Sequence, residues 1–254
     1  MDADLTREQV LDQLEVLATI AHALVVEYLS VCCALGHDLE ADDGGATTEQ
    51  GRSAAATASS LALDEMFLLK AVNRALIAAG RPARLDRATS VVRPSGQEMQ
   101  LAPPSPQELE GLLEREEEIA AAVDALYVGL EPAVTTDPVF EDDLLDEVRS
   151  LVVEQGSHHS AGVASLREAF GDVPPACFLK AMRRDTTDPF EVRLLDVSDR
   201  AYATVVTALR EAFSQDDGFV AGTFRNLAVS AMATLDEVNR LLVHRRLLPP
   251  FTVG

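Results

Sequence analysis

Glu65 stands in the middle of an apolar helical stripe, between Leu61 and Leu68. A carboxylate in that setting is costly to bury unless a partner meets it, and His22 or His159 would supply one. Paired with a histidine, whose imidazole titrates near neutrality, it is either an acid–base couple or an inter-helix hydrogen bond. His22 itself reads as a histidine satisfied at a helix interface or as a residue lining a pocket. Glu154 and His158 are four apart and share a helix face, a spacing that suits a two-point metal site or another acid–base pair. The His158-His159 pair has no third and fourth ligand beside it in sequence, and the expectation is no metal. Tyr28 and Tyr127 are placed to turn hydroxyls into a core or simply to pack there. Cys32 and Cys33 read as small core residues, since nothing nearby in sequence would lower a thiol pKa. The run Glu114, Glu116, Glu117 and Glu118 reads as a solvated helix face.

These residues need long helices to position them. Thr6 with Gln9 forms a Thr-x-x-Gln capping box, after which apolar residues recur at Val10, Leu14, Leu17, Ala18, Ala21, Leu24, Val25 and Tyr28. That predicts a helix ending near Gly36. Leu39 to Gly51 is polar and Gly-rich and reads as a loop. A second helix runs from Arg52 to Ala79, stopped by Gly80-Arg81-Pro82. The segment from Arg81 to Pro104 has β-branched runs too short to make a sheet and reads as a crossover. Ser105-Pro106-Gln107-Glu108 starts a third helix ending near Pro132, and Asp137-Pro138 starts a fourth that carries Leu144, Leu145, Val148, Leu151 and Val152 toward His158. After the break from Gly171 to Pro175, Asp188-Pro189 caps a helix to about Phe213, and Phe219 to Val243 is another. The expected fold class is all-α: a four-helix bundle with one long crossover over residues 1–171, and C-terminal helices packed on it over 172–254.

Composition narrows the function. With 42 acidic against 21 basic side chains the formal charge is −21, which repels phosphate backbones and anionic lipid, so neither nucleic acid nor membrane is expected as a partner. Hydrophobic residues make up 47% of the chain, enough for a substantial core. The three cysteines give neither a disulfide framework nor a Cys-x-x-Cys spacing, the N-terminus lacks a signal-peptide pattern, and no apolar stretch is read as reaching transmembrane length. A cytoplasmic protein is expected, and its bias toward Arg, Ala and Val resembles high-GC bacterial coding.

The stretch from His22 to Leu29, the stretch from Leu63 through Glu65 to Leu68 ahead of Gly80-Arg81-Pro82, and Val152-Val153-Glu154-Gln155-Gly156 resemble the helices of ferritin-like proteins. In particular they are similar to the ferritin-like domain of the iminophenyl-pyruvate dimer synthase family of violacein and indolocarbazole biosynthesis. The segment from Ala231-Met232 to Leu247-Leu248-Pro249-Pro250-Phe251 is similar to that family's C-terminal helix. Such bundles hold two irons with a Glu from each of two helices and a Glu-x-x-His from each of the others. On that resemblance a ligand Glu falls on Ala21, a ligand His on Leu68 and an acidic position on Ser157, while Glu65 is kept. No Glu-x-x-His occurs in the chain, so the resemblance implies a bundle without a di-iron site.

Three functions follow from this reading. One is a metal-independent, cofactor-free enzyme of natural-product biosynthesis, of cyclisation or isomerisation type. It would use the emptied core as a hydrophobic pocket, with Glu65, His22 and His159 as acid or base, and Ala21, Tyr28, Leu68, Tyr127, Glu154, Ser157 and His158 lining it. Its partner would be a hydrophobic small-molecule substrate, with a homodimer as an open arrangement. The others are a non-catalytic binding or scaffold protein and an oxygenase with an atypical metal set.

Overall fold

The computed structural model describes residues 5–35, 49–85, 90–92, 98–100, 183 and 185–251, with helical residues scattered through 114–130 and 161–169. Among them the fold is all-α apart from one short two-stranded ribbon. Its frame is two helical hairpins. α1 (Arg7–Ala34) and α2 (Glu49–Ala78) form the first; α3 (Pro189–Ser214) and α4 (Gly218–His244) form the second.

Local chemistry sets the ends of these helices. The Thr6 hydroxyl accepts from the Gln9 backbone N–H while the Gln9 side chain accepts from the Thr6 backbone, so two amides left over at the start of α1 are satisfied reciprocally. α2 ends in a Schellman motif: Gly80 N–H donates to Ile77 and Arg81 N–H to Leu76, with Gly80 at φ +83. Asp188 and Asp217 cap α3 and α4 through their carboxylates, each accepting from two backbone amides. The second of these caps was not anticipated from the sequence.

Three expectations change. α2 begins at Glu49, inside the segment read as loop. Glu and Gln are good helix formers, and a glycine at Gly51 costs little in a first turn. The crossover contains a sheet after all, because Ser90–Val92 pairs antiparallel with Glu98–Gln100, Val91 opposite Met99. Strands of three residues are too short for alternation to reveal. α1, moreover, is long and apolar enough by composition to cross a membrane. Here most of that apolar surface is buried against the rest of the fold, as in the core helix of a globular protein.

The main core is centred on the first hairpin. Leu14, Leu17, Leu24, Tyr28 and Val31 of α1 pack with Ala58, Ala62, Leu68, Val72 and Leu76 of α2, and the same cluster takes in Tyr202 and Val206 of α3 and Phe251 from the C-terminal segment. The C-terminal hairpin therefore reaches the core of the first through these residues, while Leu194, Leu242 and Leu247 form a smaller cluster of its own. Arg81 and Arg84, just past α2, ion-pair with Glu8, Asp12 and Glu15 on α1 and fix the N-terminal end of that hairpin. Asn73, fully buried, holds the same corner: its amide donates to the Leu69 and Arg84 carbonyls, and its oxygen accepts from the Arg84 N–H.

Candidate functional site

The register of the first hairpin decides which residues meet. At one end an Arg7 guanidinium N–H donates to the Ala79 carbonyl, 3.2 Å away, and at the other the Cys32 thiol donates to the Ala55 carbonyl at 3.4 Å. Each step back along α1 is thus a step forward along α2, which brings His22 and Glu65 to the same level. Both side chains are buried, at 5% and 6% exposure. His22 is also held from the second hairpin, since its Nε2 and the Tyr202 hydroxyl are hydrogen bonded at 2.8 Å. Tyr202 in turn sets its ring edge-on to Phe251, with ring centres 6.0 Å apart.

Ala21, Tyr28 and Leu68 are buried in the main core cluster. Glu27, 2% exposed, adds a second buried carboxylate one position before Tyr28. Sequence reading passed over Glu27. Its signal was available: it lies seven residues after Ile20 and four before Val31, on the buried side of an almost wholly apolar helix. Tyr202 carried no comparable signal, because its partner is 180 positions away. Cys32 is buried and Cys33 half-buried, as expected of packing residues. Glu114, Glu117 and Glu118 are exposed, as a solvated face requires. Tyr127, Glu154, Ser157, His158 and His159 lie outside the described residues, as does Glu116. Among the described residues no group of three His, Cys, Asp or Glu side chains is arranged so that it could hold a metal ion.

Elsewhere, a groove of about 930 Å³ opens between the outer face of α2 and the C-terminal hairpin. On α2 its wall is Leu63, Met66, Phe67, Lys70, Arg74 and Ile77, a spacing of three and four residues that makes one continuous stripe. Leu69 and Leu85 floor it, and Leu209 and Phe213 of α3 and Met232 of α4 close the far side. Phe67 is 62% exposed and Leu63 is likewise on the surface, so large apolar area faces water here. Arg225 of α4 joins Lys70 and Arg74 around this apolar surface.

Two carboxylates with displaced titration lie at the start of α3. Glu191 is held below the usual carboxylate range, first by the hydrogen bond from the Thr186 hydroxyl at 2.5 Å and then by Arg183, which together outweigh desolvation. Asp188 is lowered by the backbone amides of Phe190 and Glu191 that it caps. Arg183 also ties this corner to the C-terminus, since its N–H donates to the Arg246 carbonyl and its own carbonyl accepts from the Leu248 N–H. These groups serve the architecture of the second hairpin and lie apart from the groove lining.

Fold and geometry together define a class: among the described residues, a mainly α-helical protein of packed helical hairpins with a wide apolar groove and, apart from it, a hydrogen-bonded polar pair, His22 and Tyr202, buried in the core. No protein-family model, curated protein or solved structure matches the chain.

Proposed function

We propose that this chain is a ferritin-like helical protein that binds a hydrophobic small molecule in the groove between α2 and the C-terminal hairpin. The observation that carries the reading is the groove itself. At about 930 Å³ it falls in the size range of small-molecule sites, and its lining is apolar with a few polar groups, the usual composition of such sites. The ferritin-like assignment rests on the resemblance of the first, second and fourth predicted helices. It gains support from the hairpin register, which sets Ala21 and His22 opposite Glu65, where a di-iron bundle would gather ligands. Binding needs no metal in this reading, and the acidic surface keeps the protein soluble and away from nucleic acid.

A second reading keeps the enzyme of natural-product biosynthesis related to iminophenyl-pyruvate dimer synthases. One observation favours it: His22, Tyr202 and Glu65 put three proton-carrying side chains in the core, two of them hydrogen bonded. Glu65→Gln separates the readings, because it would abolish turnover in an enzyme of this kind and leave ligand uptake by the groove unchanged.

The test is native mass spectrometry with elemental analysis on protein purified without chelator. A metal-free chain that retains an apolar ligand, and loses it in Ala212→Trp, which projects an indole into the groove, is the expected result. Stoichiometric iron or manganese, or ligand retained in Ala212→Trp, would sink the reading.

A further inference from the structure

We infer that the groove selects an amphiphile with an anionic carboxylate head, its apolar tail on Phe67, Leu209 and Met232 and its head at Lys70, Arg74 and Arg225. This rests on the groove being a ligand site and adds the chemistry of what fills it. The argument is one of charge. Acidic side chains outnumber basic ones 42 to 21 in this chain, yet the described lining of the groove contains three cations and no acid. One of them, Lys70, is among only two lysines in the sequence, the other being Lys180.

Placement sharpens the point. Lys70 and Arg74 are one helical turn apart on the same face of α2, so their stems start about 5–6 Å from each other. Arg225 approaches from α4 across the groove, its Nε donating to the Ala221 carbonyl at 3.3 Å, which holds the guanidinium stem along its helix. A planar guanidinium takes a carboxylate through two parallel hydrogen bonds and an ammonium adds a point charge, so the set suits one small planar anion better than a neutral head. Long basic stems also cover apolar surface while their heads stay wet, which joins the two halves of such a site. In the field of a strongly acidic protein, an anion finds few other places to rest.

The experiment is calorimetric titration of the full chain with oleate and, separately, with oleyl alcohol, which shares the tail and lacks the charge. Oleate is expected to bind at one site. Lys70→Ala combined with Arg225→Ala should weaken it by at least about tenfold, the loss of charge-assisted hydrogen bonds. The alcohol should bind weakly to the native chain and equally so to the double variant. Both substituted positions are exposed, so the fold is expected to survive, and unfolding curves would verify that. If oleate and the alcohol bind alike and Ala212→Trp blocks both, the headgroup inference falls while the groove remains a ligand site. If neither binds, both fall. A native dimer that Phe67→Glu splits, with no oleate uptake, would overturn the inference in favour of a second copy seated in the groove.

Discussion

The Tyr202 hydroxyl and His22 Nε2 lie 2.8 Å apart, a hydrogen bond that joins the third helix of the frame to the first through the middle of the core. Because the residues are 180 positions apart, the bond forms only when the C-terminal hairpin has docked. Tyr202→Phe keeps the ring against Phe251 and removes only the hydroxyl. It should cost about 1–3 kcal/mol, the range for leaving one buried polar partner unsatisfied. Denaturant unfolding of Tyr202→Phe, His22→Leu and the double variant would check it. Strictly additive costs would show that the bond contributes nothing.

Gly80 ends α2 with its backbone at φ +83, and a methyl built on it meets nothing within 4 Å. Any penalty for Gly80→Ala is therefore conformational rather than steric crowding by neighbours. An expected loss of about 1–2 kcal/mol follows from forcing an L-residue into the left-handed region. Equal unfolding midpoints for native and Gly80→Ala protein would contradict it.

What the sequence disclosed was local. The Thr6–Gln9 box, the Gly80-Arg81-Pro82 stop and the Asp188-Pro189 start were all legible, since each is a hydrogen-bonding pattern complete within a few residues. The paired strands around Val91 and Met99 were not, being too short to show a period. Glu65 was recognisable as a buried carboxylate because its neighbours are apolar, and Glu27 was missed although the same argument applies to it. The groove was half legible. Leu63, Met66, Phe67, Lys70 and Arg74 share a face by spacing alone, but nothing local says that Leu209, Phe213, Arg225 and Met232 come to stand opposite.

Asn73 is the polar pivot of the corner after α2. Its carboxamide both donates to and accepts from the backbone of Arg84. Asn73→Leu preserves volume approximately but strands an N–H and a carbonyl of that segment away from their partner. The expected cost is about 1–3 kcal/mol for the unsatisfied groups, and Arg84 with its pairing to Glu15 should loosen with it. Hydrogen exchange at the Arg84 amide provides the direct reading: faster exchange in Asn73→Leu than in the native protein is expected, and an unchanged rate would remove Asn73 from this role.

The second hairpin should be the acid-sensitive part of the molecule. In the folded chain Glu191 titrates below its ordinary value of 4.5, chiefly because the Thr186 hydroxyl and then Arg183 favour the charged form. A group whose pKa is depressed by folding contributes stability that is fully present above its unfolded pKa and is lost as pH falls through the folded one. Asp188, lowered from 3.8 by the amides it caps, acts in the same direction over an adjoining range. Glu191→Gln cannot titrate, so it should be less stable than the native chain at neutral pH and show a shallower loss below about pH 4.5. Thr186→Val, which removes the donor and keeps the carboxylate, should shift the native acid transition upward in pH. Thermal melts across that range, read for the native chain and both variants, decide it: parallel curves for all three would mean that this corner does not set the acid response.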